Sequence, residues 1–250
     1  MSPWVDNRRL MRSNFPDLES IQSDQRLGRP QPPLEKPAPE GAVTIALPAV
    51  DPGVVTEPDF YACLRRRRSR RSWADAGLTL PQLSFLLWAT QGVQRVFGRG
   101  YSTFRPVPSG GARHPFETYL AVNRVEGLAP GLYRYLALSH ELTLLREAAG
   151  LAAPITAATL GQDFVGAAPV VFVWTCVPYR GEWRYDVAAH KIMLLDAGHL
   201  CQNLYLACEA LGCGTCAVAA YDQRMFDALL GVDGEEEFVV YLAPVGRVKR

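Results

Sequence analysis

The sequence carries almost no charge imbalance. Its 26 Lys and Arg residues face 25 Asp and Glu, leaving a net charge of +1, so no global field would draw the chain onto DNA or an anionic membrane. Histidine is scarce: the four in 250 residues show no ligand spacing, which points away from a metal centre. Long apolar runs are missing as well. None reaches the length of a membrane span, and Met1-Ser2-Pro3-Trp4-Val5-Asp6 lacks the apolar stretch of a signal peptide. The expectation is a cytoplasmic protein with no membrane or nucleic-acid partner. Six cysteines in a chain this long do not read as a disulfide framework and are expected to be reduced thiols in a core. No G-x-x-x-x-G-K-[ST] loop occurs. The stretch 212–217 matches G-x-G-x-x-A in letters, but it follows a helix and precedes a strand, the reverse of what a dinucleotide fingerprint needs.

What is present is a core-forming composition, 48% hydrophobic over 250 residues, enough for one large domain or two small ones. Residues 1–52 carry prolines at 30, 32, 33, 37, 39, 48 and 52 and read as an extended arm in which only 43–47 alternates; residues 53–250 read as one domain. Thr56 is expected to cap a helix, with Asp59 at the capping-box position and Phe60, Cys63 and Leu64 as its apolar face. Thr79, Pro81 and Gln82 start a second helix that Gly92 ends. The stretch 92–115 reads as a long, glycine-rich loop centred on Pro108-Ser-Gly-Gly-Ala-Arg-His-Pro115.

Three strand-like runs follow at 116–125, 131–137 and 141–147, then a short helix over 151–160. The apolar run 168–176 suits a strand buried on both faces. Helical spacing from Tyr185 to Leu211 predicts a single helix long enough to serve as a dimer spine. A strand over 215–219, a helix capped by Asp222 and a last strand over 238–245 complete an α+β pattern. Cys213-Gly-Thr-Cys216 fits C-x-x-C, but it precedes a strand rather than opening a helix, so a dithiol role is not favoured.

The densest feature is 65–73, Arg-Arg-Arg-Arg-Ser-Arg-Arg-Ser-Trp. Guanidinium forks match phosphate oxygens bidentately, and Ser69 and Ser72 add neutral donors. The same cluster could instead complement the dipole of a helix C-terminus or form a nucleic-acid patch. On the long helix, His199, Gln202 and Asn203 share one side. That polar side fits a ligand or an interface, or equally a set of polar groups satisfied by backbone; His199 reads as structural.

Four stretches taken together resemble the nitroreductase-like flavoproteins, and within them the SagB-type dehydrogenases, which include azoline oxidases of peptide natural-product pathways. They are Arg67-Arg-Ser-Arg-Arg71, Pro108-Ser-Gly-Gly-Ala-Arg-His-Pro-Phe-Glu117, Pro130-Gly-Leu-Tyr-Arg-Tyr135 and Asp196-Ala-Gly-His-Leu-Cys-Gln-Asn-Leu204. The resemblance implies an α+β fold with a mixed central sheet flanked by helices. It also implies a homodimer with a long central helix and one FMN in each of two interface sites. It assigns Arg67, Arg68, Ser69 and Arg71 to the FMN phosphate and ribityl chain, and Pro108, Ser109 and Gly110 to the flavin ring of the partner subunit.

Gln202 is a further cofactor-binding candidate, and Arg247, with Lys249, a candidate for a distal basic contact. Ala219 and Ala220 stand where better-known members carry a glutamate-glycine pair. Arg184-Tyr185 stands where azoline-oxidising members carry lysine-tyrosine. Tyr185 is therefore expected to take part in proton abstraction, the Arg184 cation favouring its phenolate. The activity implied is FMN-dependent dehydrogenation of a heterocycle or of a small, peptide-derived substrate. The alternatives are a nicotinamide-driven nitro- or quinone reductase, or a flavin-binding protein of reduced catalytic capacity.

Overall fold

The computed structural model describes residues 3–13, 15 and 20–249. Among the described residues nine strands run in chain order as β1 (Thr44–Ala46), β2 (Arg95–Phe97), β3 (Ser102–Phe104), β4 (Phe116–Val122), β5 (Gly131–Leu136), β6 (Glu141–Glu147), β7 (Val170–Cys176), β8 (Cys213–Thr215) and β9 (Phe238–Arg247). The α-helices are α1 (Pro3–Asn7), α2 (Phe60–Arg66), α3 (Leu80–Gln91), α4 (Ala152–Ala158), α5 (Asp163–Gly166), α6 (Tyr179–Tyr185), α7 (Ala189–Ala210) and α8 (Gln223–Leu230). A seven-stranded sheet has the order β1-β6-β5-β4-β7-β9-β8, and β2-β3 form a separate hairpin. All the ladders of the large sheet are antiparallel, and a parallel bridge joins Leu78 to Val125 beside it.

The centre of the sheet is buried on both faces, as the apolar run of β7 required. Successive side chains of a strand point to opposite faces. Phe172 and Trp174 accordingly join a core with Leu83, Leu87, Leu200 and Leu204 of α3 and α7. Val171 and Val173 join a second core with Ile155 of α4, Val165 of α5 and Phe226 of α8. The expected α+β sheet with helices on both sides is present.

Several local expectations need correction. Asp59, not Thr56, caps α2: its side chain accepts from the Ala62 amide, while the Thr56 hydroxyl donates to the Ala210 carbonyl. Of that helix's expected apolar face only Cys63 is buried, Phe60 and Leu64 being exposed. The capping box of Thr79 and Gln82 is formed as expected. The helix expected from Tyr185 is broken. α6 ends at Tyr185, Asp186 takes φ 48° and ψ −135°, and α7 begins at Ala189. The strand expected over 215–219 is instead β8, with Val218 bridging to Leu242. The long loop of 92–115 contains the β2-β3 hairpin.

Residues 21–40 contain no strand or α-helix but lie against the domain. The Gln25 amide donates to the Trp183 carbonyl, and the Trp183 indole donates to the Arg29 carbonyl. The Lys36 amide donates to Glu117, whose carboxylate also pairs with buried Arg180; the Lys36 ammonium pairs with Glu237, and Arg134 donates to the Pro37 carbonyl. A proline-rich segment has few backbone donors of its own, so the domain's side chains satisfy its carbonyls.

Candidate functional site

The candidate residues fall into two groups at opposite ends of α7. At the C-terminal end, the arginine segment leaves α2 and runs beside the β8-β9 edge: the Arg70 amide donates to the Thr215 carbonyl and the Ala74 amide to the Arg247 carbonyl. Tyr205 of α7 organises this end. Its hydroxyl accepts from the Ala217 amide at 2.8 Å and shares a hydrogen bond with the Ser69 hydroxyl at 2.9 Å, while Arg67 lies over its ring at 5.2 Å. Arg71 lies over Phe164 at 5.8 Å.

Arg66 pairs with Glu57 and Arg70 reaches Glu209, but among the described residues Arg67, Arg68, Arg71 and Arg247 have no carboxylate within ion-pair distance. Arg70 Nε and Thr215 Oγ1 are buried there without a hydrogen-bond partner. The cluster is therefore more than a solvated helix end: unpaired cations, a pinned serine and two orphaned polar atoms converge on one edge. Such a set offers forked donors to an anion, and the exposed Ala219 and Ala220 lie just past it in the chain, contributing only backbone and methyl groups.

At the N-terminal end of α7, the Pro108-Ser109-Gly110 loop docks on Asp196. The Ser109 hydroxyl donates to Asp196 at 2.6 Å, the Gly110 amide donates to the same carboxylate, and Ser109 Oγ accepts from the His114 amide. Burial raises the Asp196 pKa, opposed by these hydrogen bonds. The two glycines answer to the packing here. A Cβ on Gly110 would fall 2.2 Å from Ile192 Cγ2, and one on Gly111, at φ 59°, would fall 2.6 Å from the Tyr185 hydroxyl and 2.7 Å from Arg184. Only residues without a side chain let this loop lie on the α6-α7 junction.

Arg184 and Tyr185 meet there. The Arg184 guanidinium lies over the Tyr185 ring at 5.4 Å and donates to the Tyr101 hydroxyl at 2.9 Å. Burial works against its charge, but Tyr185 and then Tyr101 outweigh burial and raise its pKa. Arg184 is thus a permanent cation and not a base. Both residues line a cleft of about 250 Å³ whose other walls are Phe15, Ile21, Ser23, Gln25, Arg26 and Asp186. The arm therefore supplies most of that lining. Phe15 packs edge-on against Tyr185 at 6.1 Å.

The outer face of α7 is open. Gln202 is exposed, Gly198 has empty space beside it, and Leu194 and Leu195 are 56% and 55% exposed. Asn203 follows the backbone-satisfied alternative, donating to the Ala89 carbonyl and tying α7 to α3. His199 is half exposed, 3.9 Å from Asp196. Burial pushes the Cys213 thiol up to about 11, which suits a core thiol and not a reactive thiolate. Among the described residues no cluster of His, Cys, Asp and Glu could hold a metal ion, and no helix is long and apolar enough to cross a membrane.

Sequence reasoning missed Tyr205, Tyr101 and Arg113. Arg113 is buried, donates to the Tyr101 carbonyl and lies over the rings of Tyr101 and Trp183. No spacing rule links these residues, since the contacts cross from loop to helix. Asp196 had a signal, as the first residue of the Asp196-to-Leu204 stretch.

The chain is similar to known proteins in both sequence and fold. It is 34% identical over 185 residues to the nitroreductase candidate MJ1384 of Methanocaldococcus jannaschii, covering 74% of this chain and 88% of that one. A crystal structure of a nitroreductase candidate from Ralstonia eutropha superposes with a TM-score of 0.68 at 29% identity, covering 88% of this chain and 99% of that chain. The trifolitoxin-processing protein TfxB of Rhizobium leguminosarum is 28% identical over 142 residues, which span 55% of this chain and 38% of TfxB. The nitroreductase family pattern matches residues 64–247, from the arginine segment to the end of β9, and the chain belongs to the nitroreductase family.

Proposed function

We propose that this oxidoreductase binds FMN and, as a SagB-type dehydrogenase, oxidises a heterocycle in a small or peptide-derived substrate. The observation that carries the cofactor reading is the set of guanidiniums without acidic partners beside the Ser69–Tyr205 hydrogen bond. Arg67, Arg68, Ser69 and Arg71 would hold the phosphate, with Arg247 on the same edge. Side-chain forks can do this without a glycine-rich loop. FMN bound there would supply the two-electron acceptor that none of the chain's own residues provides. A single phosphate suits this edge, whereas FAD would need a second nucleotide pocket.

The homodimer belongs to the same proposal. α7 carries Leu194 and Leu195 on its open face beside the Ser109 end, and Gly198 between that end and the arginine end. Asp196 precedes Tyr205 by nine residues, so the two ends lie roughly 13 Å apart along the helix axis. A second copy laid antiparallel on this face would bring the Pro108-Ser109-Gly110 loop of one chain toward the arginines of the other. The same pairing would cover the apolar side chains.

For the chemistry, Tyr185 is the proton-accepting group and Arg184 the cation that stabilises charge at its hydroxyl. Ser109 and Gly110 keep the loop seated on Asp196, and Phe15 and Ile21 keep water from that wall of the cleft. The likeness to TfxB supports a peptide-processing role. A nicotinamide-driven nitroreductase is the second reading, supported by the likeness to MJ1384. The cofactor assignment is tested by replacing Arg67 and Arg71 together with alanine. The variant should purify folded and colourless, with parent-level circular dichroism, and full flavin retention would overturn the assignment. Mixing the parent protein anaerobically with NADH or NADPH separates the two readings: rapid bleaching favours the reductase.

A further inference from the structure

Tyr101 sits where three parts of the molecule meet. It follows the tip of the β2-β3 hairpin, where Gly98, Arg99 and Gly100 all take positive φ, at 62°, 54° and 92°. Its phenol oxygen accepts two hydrogen bonds, from Arg184 Nη1 at 2.9 Å and from Gln25 Nε2 of the arm at 2.7 Å. A phenol oxygen has two acceptor positions, so this pair fills both. The ring is held independently. Arg113 lies over it at 4.9 Å and donates to its carbonyl at 2.7 Å, and Trp183 packs edge-on at 6.5 Å.

The arm is fastened to the same hairpin a second time, through Gln31 to the Gly100 carbonyl, and to α6 through the Gln25 amide on the Trp183 carbonyl. Arg184 also covers the Tyr185 ring and interacts with that side chain's hydroxyl. Without the phenol oxygen a flexible, charged side chain at the edge of a cleft would lose the hydrogen bond that ties it to the hairpin and would keep only its interaction with Tyr185.

We propose that Tyr101 is a positioning residue: it sets the place of the Arg184 guanidinium over Tyr185 and makes that placement depend on the arm being seated through Gln25. The inference rests on the reading of Arg184 and Tyr185 as the working pair. The arm is then a component of the reaction site, since the oxygen that orients Arg184 is the one that anchors Gln25. The arm's other lining residues, Phe15, Ile21, Ser23 and Arg26, are brought to the cleft with it.

Tyr101→Phe removes the oxygen and keeps the ring that Arg113 and Trp183 hold, so the fold is spared. The experiment is a double-mutant cycle on kcat with a thiazoline-bearing peptide, using the full-length flavin-loaded dimer as parent, Tyr101→Phe, Arg184→Ala and the double variant. Hydrogen–deuterium exchange over residues 21–29 is followed in parent and Tyr101→Phe. The Tyr101→Phe change should lower kcat by about 10- to 100-fold in the parent background, as expected for a misplaced catalytic group. In the Arg184→Ala background it should cost less than about 2-fold, because the group it positions is gone. Exchange over 21–29 should rise while flavin content stays at parent level.

An equal cost of Tyr101→Phe in both backgrounds would overturn the positioning role, because a merely structural residue costs the same with or without Arg184. Unchanged exchange over 21–29 would overturn the link to the arm, whatever the turnover shows. Parent-rate turnover by both Arg184→Ala and Tyr185→Phe is a different failure. It removes the working pair itself and with it the proposed chemistry, and the exchange result stands as a separate reading.

Discussion

At the scale of single residues the candidate site has two kinds of member, those held by hydrogen bonds within the chain and those left without partners. Tyr185 is the proposed proton acceptor, beside a cation that cannot deprotonate. Tyr185→Phe is expected to keep FMN and dimerisation but lose at least about 100-fold in substrate oxidation, the upper part of the usual contribution of a proton-transfer group. Arg184→Lys should be tolerated. Parent-rate turnover by Tyr185→Phe would place proton abstraction elsewhere and favour the reductase reading.

His114 offers a pH test. Burial, and then the charge of Arg105, lowers its pKa from 6.5 to about 3, so the folded protein holds it neutral. A depressed base stabilises the fold above its unfolded pKa, and that contribution is lost as pH falls from about 6.5 toward 3. His114 has φ 44°, which asparagine tolerates. His114→Asn should therefore show a smaller fall in urea midpoint between pH 7 and pH 4 than the parent. An identical fall in the two proteins would remove His114 from the acid response.

At the scale of elements, close packing fixes the conformation of the loop that read as facing the flavin. Gly110 and Gly111 are glycines because Ile192, Arg184 and Tyr185 occupy the space a side chain would need. Gly110→Ala should destabilise by about 1–3 kcal/mol, the usual range for overpacking. Gly110→Ala combined with Ile192→Ala should recover part of that loss, because the obstructing Cγ2 is gone. Denaturant titration of the three proteins checks this, and additive losses would show that the contact is not the cause.

The break before α7 was not legible, since apolar spacing continues through Tyr185. The interruption is a backbone event at Asp186, whose side chain accepts from the Val187 amide at 2.6 Å. Helix α3 was legible to its cap because a capping box is a local hydrogen-bond arrangement. The arginine segment was legible as an anion candidate, but not its distinction from a helix end. That distinction rests on Tyr205 and Thr215, which approach from α7 and β8.

At the scale of the whole molecule the open face of α7 bears on assembly. Two leucines more than half exposed, next to an open glycine, call for cover. If the proposed dimer forms on this face, replacing Leu194 and Leu195 together with glutamate should give a monomer in light scattering and release most of the proposed flavin. A parent-mass dimer from that variant would move the interface off α7, and a monomer that keeps FMN would show that one chain suffices to hold it.

The sequence by itself determined the parts governed by near neighbours and by periodicity. These are the strand of β7 buried on both faces, the capped α3, the proline-rich character of the arm and the concentration of guanidiniums before Trp73. Alternation, capping and charge density each depend on residues a few positions apart. Tertiary structure alone decided which groups were left unpaired and which were spent: Arg67 free of carboxylates beside Tyr205, Ser109 committed to Asp196, and Arg184 held by Tyr101. It also decided that the arm docks, because the donors satisfying its carbonyls are side chains such as Arg134 and Trp183, far from it in the chain. A hydrogen bond has one partner in space and no spacing rule in sequence, so the roles of these residues became visible only once the sheet and α7 had brought them together.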